Sequence, residues 1–170
     1  MNKIFFIIGM GCLSLAATTK LETKATNKPV KIENMKIEKQ SKEIVQGFFN
    51  AFGKGDLNGI LHCFHDSCTI IGIRDAKRKE KQIYGTYHGT SGVKDFIANL
   101  GNSFDTKAFS VNSLIGEGNI VFANGKFTNI VKSTGKTFSS DWALMCVIKE
   151  DKIFEYHFYE DSEMFSIANK

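Results

Sequence analysis

The stretch IVFANGKFTNIVKSTGKTFSSDWALMCVIKEDKIFEYHFY (120–159) decides the fold. It holds three β-rich runs, Ile120–Val131, Thr137–Ile148 and Ile153–Tyr159, separated only by Ser133-Thr134-Gly135 and Lys149-Glu150-Asp151. A fourth run, Ala108–Ile115, precedes them across Gly116-Glu117-Gly118. Connections this short join only antiparallel neighbours, so the four strands form a meander. Within Thr137–Ile148 one alternating set is Phe138, Ser140, Trp142, Leu144, Cys146 and Ile148, and the other is Thr137, Ser139, Asp141, Ala143, Met145 and Val147. Both sets contain apolar residues, whereas a sheet covered on one side shows one polar set. Something therefore buries the second face as well, and a homodimer with sheets back to back is the simplest candidate.

Upstream of the meander the apolar period changes from two to 3.6. Ser41 is placed to cap a helix whose apolar positions Ile44, Val45, Phe48, Phe49 and Phe52 share one face, and Gly53 to Gly55 ends it. Asp56 caps a second helix carrying Leu57, Ile60, Leu61 and Phe64, after which Cys68–Ile73 reads as an apolar strand. Following a polar stretch, Thr90 or Ser91 starts a third helix with Val93, Phe96, Ile97 and Leu100, and Gly101 stands where a left-handed cap is wanted. Asp161 with Ser162 is a cap for a short helix over Glu163–Ile167. Helices first and sheet second predict an α+β fold, with three N-terminal helices packed on a curved, mostly antiparallel sheet.

A hydrophobic share of 42% with 24% charged residues fits one globular domain and excludes a disordered chain. The net charge of +4 lies entirely in residues 1–40, which hold seven Lys against Glu22, Glu33 and Glu38; from Ser41 onward fifteen basic and fifteen acidic residues balance. The basic cluster Arg74 to Lys81 also carries Asp75 and Glu80 and reads as a solvated loop, so a nucleic-acid partner is not expected.

Met1-Asn2-Lys3 followed by uncharged Ile4–Ala17 has the form of a secretory signal peptide (1–17), with Ser14 and Ala16 as the small residues for cleavage. The run is too short to span a bilayer, which takes ~20 apolar residues, so export to the periplasm or medium is expected and a transmembrane helix is not. A lipoprotein modified at Cys12, preceded by Gly11, is the competing reading. Residues 18–40, Lys-rich and with the chain's one proline, Pro29, read as a flexible tether, leaving 41–170 as the domain. Cys63, Cys68 and Cys146 are odd in number and read as buried small apolar residues rather than a disulfide framework. His62 and His65 beside Asp66 read as a solvated helix end, and neither a metal nor another cofactor is expected.

The order of these segments resembles a known family. Gly53-Lys-Gly-Asp-Leu-Asn-Gly-Ile-Leu61, Phe64-His65-Asp66-Ser67 before an apolar strand, Tyr87-His88-Gly89 before a helix, and the closing Tyr156-His157-Phe158-Tyr159-Glu160-Asp161-Ser162 are similar to the nuclear transport factor 2-like superfamily, in its SnoaL-like and ketosteroid isomerase-like branch. The resemblance covers about 41–168 and implies a cone-shaped α+β barrel with an apolar pocket between helices and sheet, commonly dimeric through the sheet. It also implies where isomerase groups would stand: the oxyanion tyrosine on Phe48, the general base on Gly72 and the oxyanion aspartic acid on Ala143. None of the three carries the required group, so isomerisation by that mechanism is not expected.

The same anchoring implies that Asp141 and Ser139 face the pocket from one strand and Tyr156, Phe158 and Glu160 from the last. Asp141, Glu160 and Tyr156 are thus the catalytic candidates, and Phe48, Phe52, Ala143, Met145 and Phe158 the apolar lining, with Tyr87 near Tyr84 and His88 at the mouth. Three functional classes follow: a non-catalytic binder of a small apolar ligand, ranked first; an exported lyase, isomerase or hydratase using Asp141 and Glu160; and a dimerisation or partner-binding module around Trp142 and Cys146.

Overall fold

A computed structural model describes residues 27–170. The signal peptide expected over 1–17, the Cys12 alternative and the first part of the expected tether lie outside the described residues. The chain runs α1 (Asn27–Gly53), α2 (Leu57–Cys63), β1 (Phe64–Gly72), β2 (Gly85–His88), α3 (Gly89–Ser103), β3 (Phe104–Glu117), β4 (Ile120–Val131), β5 (Thr137–Lys149), β6 (Lys152–Glu160) and α4 (Ser162–Ala168). The strands form one curved, open sheet in the order β2-β1-β6-β5-β4-β3, antiparallel except where β1 runs parallel to β6. Helices cover its concave face, which is the expected α+β cone.

Local signals act as read at both short helices. Asp56 accepts a hydrogen bond from the Gly59 amide at 2.9 Å, and Asp161 accepts one from the Met164 amide at 3.0 Å. The three meander turns also form; Glu150 and Asp151 both have positive φ, as a two-residue hairpin turn matched to strand twist requires.

Three boundaries differ from the sequence reading. α1 begins at Asn27, so 27–40 is helix rather than a flexible tether, and Ser41 is a buried helical residue instead of a cap. Glu38–Lys42 at 2.9 Å and Lys39–Glu43 at 3.8 Å stand one helical turn apart and support the exposed part of it. Gly101 lies inside α3, which continues to Ser103. β2, a short, partly buried strand at the edge of the sheet beside β1, lies within the stretch read as polar loop.

The larger correction concerns which face of β5 looks inward. Phe138, Trp142, Leu144, Cys146 and Ile148 are buried, while Thr137, Ser139, Asp141 and Ala143 are exposed on the convex face, with Met145 and Val147 half-buried there. Burial of the larger apolar set, with the polar Thr137, Ser139 and Asp141 left to solvent, fixes this choice. The register agrees: Gly125 of β4, Trp142 of β5 and Glu160 of β6 are consecutive partners and share the concave side.

That row explains the curvature of the sheet. Trp142 stacks on Phe109 of β3 at 5.1 Å and on Phe158 of β6 at 5.6 Å, reaching across β4 because Gly125 has no side chain. A Cβ at Gly125 meets the Ser110 carbonyl oxygen, far inside contact distance, and comes within 2.6 Å of Trp142 Cζ2. Gly125→Ala is therefore expected to lower stability by about 1–3 kcal/mol, read from the denaturant midpoint at constant slope. Gly53→Ala, where an added Cβ meets nothing within 4 Å, is the control and should be neutral or slightly stabilising. Equal effects at the two positions would contradict this packing.

Candidate functional site

Between the concave face and helices α1 and α3 lies a cavity of about 230 Å³. Its inner end is aromatic. Phe48 packs edge-on to Phe64 at 5.6 Å and to Tyr156 at 5.5 Å, and Phe96 closes on Tyr156 at 5.8 Å. Ile60, Ile97, Leu100 and Phe127 continue the wall, and Phe109, 37% exposed, with half-buried Phe52 forms part of the rim. A surface this apolar binds by removing hydrocarbon from water and reads polar groups through the few it contains.

Those few are Glu160, Tyr84, Tyr156, Thr106 and Asn129. Glu160 ends β6, and its carboxylate accepts a short hydrogen bond from the Tyr84 hydroxyl. Tyr84 comes from the loop between β1 and β2 and is held by an edge contact of its ring with Phe165 of α4 at 5.2 Å. β1 leaves the sheet through a three-residue turn: the Arg74 amide donates to the Gly72 carbonyl at 2.8 Å, with Ile73 at φ 67. A β-branched residue at positive φ is strained, and this one lines the cavity.

Burial pushes the Glu160 carboxyl up to about 7; neighbouring Asp161 adds to the rise and the Tyr84 hydrogen bond opposes it. Burial also holds the Tyr84 and Tyr156 hydroxyls well above the ordinary tyrosine range, so both stay protonated and able to donate. Glu160 is thus the one acid in this cavity able to gain and lose a proton near neutrality.

The remaining sequence candidates divide between the two faces of the sheet. Phe48, Phe52, Tyr156, Phe158 and Glu160 line the cavity. Asp141 does not: it is exposed on the convex face, where it pairs with Lys126 at 3.1 Å, both side chains at least 70% exposed. Ala143 and Met145 stand on that same face, so neither lines the cavity. The isomerase positions inferred for Phe48 and Gly72 do lie on the wall, without a donor or a base, and on β5 the inward neighbours of Ala143 are Trp142 and Leu144. Tyr87 is buried behind the wall, donating to the Ile83 carbonyl at 2.8 Å with Arg78 stacked over its ring at 4.0 Å, and its role is to hold the loop.

Cys63, Cys68 and Cys146 are free, and burial raises all three thiols. Among the described residues no cluster of His, Cys, Asp and Glu is arranged to hold a metal ion, and no helix is long and apolar enough to cross a membrane. Asn129 and Thr106 were missed from sequence. The signal for Asn129 is present in β4, whose inward set Val121, Ala123, Gly125, Phe127, Asn129 and Val131 has one polar side chain.

The raised acid carries a stability signature. A carboxyl whose folded pKa lies above its unfolded value near 4.5 stabilises the fold fully below pH 4.5, and that contribution disappears as pH rises through about 7. Relative to Glu160→Gln, the wild type is expected to lose up to about 3 kcal/mol between pH 4.5 and 8. Parallel pH profiles for the two proteins would show that the carboxyl is not buried as described.

Comparison with known proteins agrees with this architecture. The profile of the SnoaL-like domain matches residues 45–156. An NTF2-like protein from Burkholderia xenovorans superposes with a TM-score of 0.69 at 22% identity, covering 78% of this chain and 98% of that one. TerC, co-crystallised with polyporic acid, superposes with a TM-score of 0.65 at 18% identity, covering 76% and 98%. Patulin synthesis protein F of Aspergillus clavatus is 32% identical over 75 residues, 44% of this chain and 38% of that protein, so the chain spans well under half its length. Profile and fold converge: the chain belongs to the SnoaL-like domain family and has the fold of NTF2-like proteins.

Proposed function

We propose that this SnoaL-like protein acts outside the cytoplasm as a binder of a small apolar molecule, without ketosteroid isomerase chemistry. The observation that carries the reading is the cavity itself, about 230 Å³, aromatic at its inner end, with a single acid in its wall. An apolar cavity of ~150 Å³ already holds benzene, so this one takes a substituted single ring or two fused rings. The co-crystallisation of TerC with polyporic acid supports a cavity of this fold taking a small molecule. The basis for export is the 1–17 pattern, with acylation at Cys12 as its variant.

Native mass spectrometry of the purified protein is expected to release a discrete small molecule under harsh desolvation. Ile97→Trp, which fills the cavity from α3, should abolish that release while the protein stays folded. Wild type that is empty even under gentle desolvation, and melts at the same temperature with and without aromatic ligands, would overturn the reading.

One observation favours a second reading, in which the pocket also turns its ligand over. Glu160, buried beside the Tyr84 hydroxyl and titrating near 7, is suited to take a proton from one carbon of a ligand and return it to another. Asp141 has no part in this version. Solvent deuterium entering the released compound with wild type but not with Glu160→Gln would establish it.

A homodimer through the convex face completes the proposal. Ile115, Phe122, Met145, His157 and Ile71 are consecutive partners across five strands and form an apolar row there, with Phe122 50% exposed and the His157 Nε2 buried without a partner. Met145→Asp is expected to convert a dimer to a monomer in sedimentation, with ligand release unchanged. A wild-type monomer at micromolar concentration would contradict it.

A further inference from the structure

Among the described residues four buried side-chain polar atoms lack a hydrogen-bond partner: Arg78 Nε, Asn129 Oδ1, Trp142 Nε1 and His157 Nε2. Only Asn129 belongs to the cavity wall. It is 8% exposed, sits on the inward face of β4 and has Thr106 of β3 as its register partner, itself a wall residue. Its flanking inward positions are Phe127 and Val131, both buried, so nothing apolar explains an amide there. A buried amide oxygen without a donor is unfavourable in the empty protein, and a donor that meets it when the side chain turns toward the cavity relieves that cost.

We propose that Asn129 is the polar recognition group of the cavity and that the natural ligand carries a hydroxyl or N–H that donates to it from an aromatic body. This rests on the pocket reading above and specifies the chemical class the pocket takes: a hydroxylated one- or two-ring aromatic rather than a plain hydrocarbon. The aromatic wall supplies affinity for the ring, and the amide supplies the choice among rings. A ligand lacking the donor displaces any water from Oδ1 without replacing its hydrogen bond, and so binds more weakly. The Tyr84 hydroxyl is already committed to one oxygen of Glu160, whereas the Asn129 oxygen has no partner until a ligand brings one.

The test uses naphthalene, 2-naphthol and 2-methoxynaphthalene as probes, titrated against the purified chain and followed by calorimetry. Wild type is expected to bind 2-naphthol about tenfold tighter than either of the others. In Asn129→Leu that preference should vanish while naphthalene binds as well as before or better. The ligand-free variant should also melt no lower than wild type, because the unpaired amide is gone. Equal affinities in wild type, a comparison that needs no variant, would overturn the proposal. So would a preference that survives Asn129→Leu, which would move hydroxyl recognition to Glu160 or Tyr84. Failure of all three probes to bind, by contrast, would overturn the pocket reading itself.

Discussion

The stacking of Trp142 between Phe109 and Phe158, across the bare backbone of Gly125, is the contact on which the rest of this protein depends. From β5 it draws together β6 on one side and, across β4, β3 on the other, and so bends the sheet into a concave surface. It also decides parity. With Trp142 inward, Leu144 and Cys146 follow it into the core, Asp141 and Met145 turn to the convex side, and the register partner of Trp142, Glu160, faces the cavity. One side-chain choice therefore positions both the wall and its acid. Nearby charges play a smaller part in the chemistry of that acid: removal from water sets its high pKa, and the Tyr84 hydroxyl only moderates it.

The two faces of the sheet do different work. The concave face is aromatic and closed over by α1 and α3, giving a space that favours rings. The convex face is a mixture of Ile115, Phe122, Met145 and Tyr159 with Asn124, Lys126 and Asp141, and its ion pair at Lys126 and Asp141 is too exposed to contribute much to stability. Where the sheet ends, strain is concentrated at Ile73, held by hydrogen bonds on both sides and set against the cavity.

Most of the scaffold was legible because its signals are local. Asp56 and Asp161 cap the helices read for them, and the meander strands fall within a few residues of the runs that alternate in sequence. The parity of β5 was not, since both of its alternating sets contain apolar residues and period two alone cannot rank them. The polar Thr137, Ser139 and Asp141 in one set, against Phe138 and Trp142 in the other, were the better guide than an anchoring carried over from a family pattern. The start of α1 is hidden because Lys-rich composition masks helical Glu–Lys spacing, and the pairing of Tyr84 with Glu160 is hidden because a contact spanning 76 positions has no local signature. Asn129 was readable in principle as the lone polar member of an inward set, but only once the inward set was known.

The central claim is that the cavity behind Trp142 is a ligand site and not a packing void. A high-resolution crystal structure of the protein purified without added ligand tests it most directly. Continuous, flat density is expected against Phe48, Tyr156 and Phe158, with a polar atom within hydrogen-bond distance of Asn129. A cavity closed by repacked Phe52, Ile97 and Phe109, with Asn129 turned out to solvent, would contradict it.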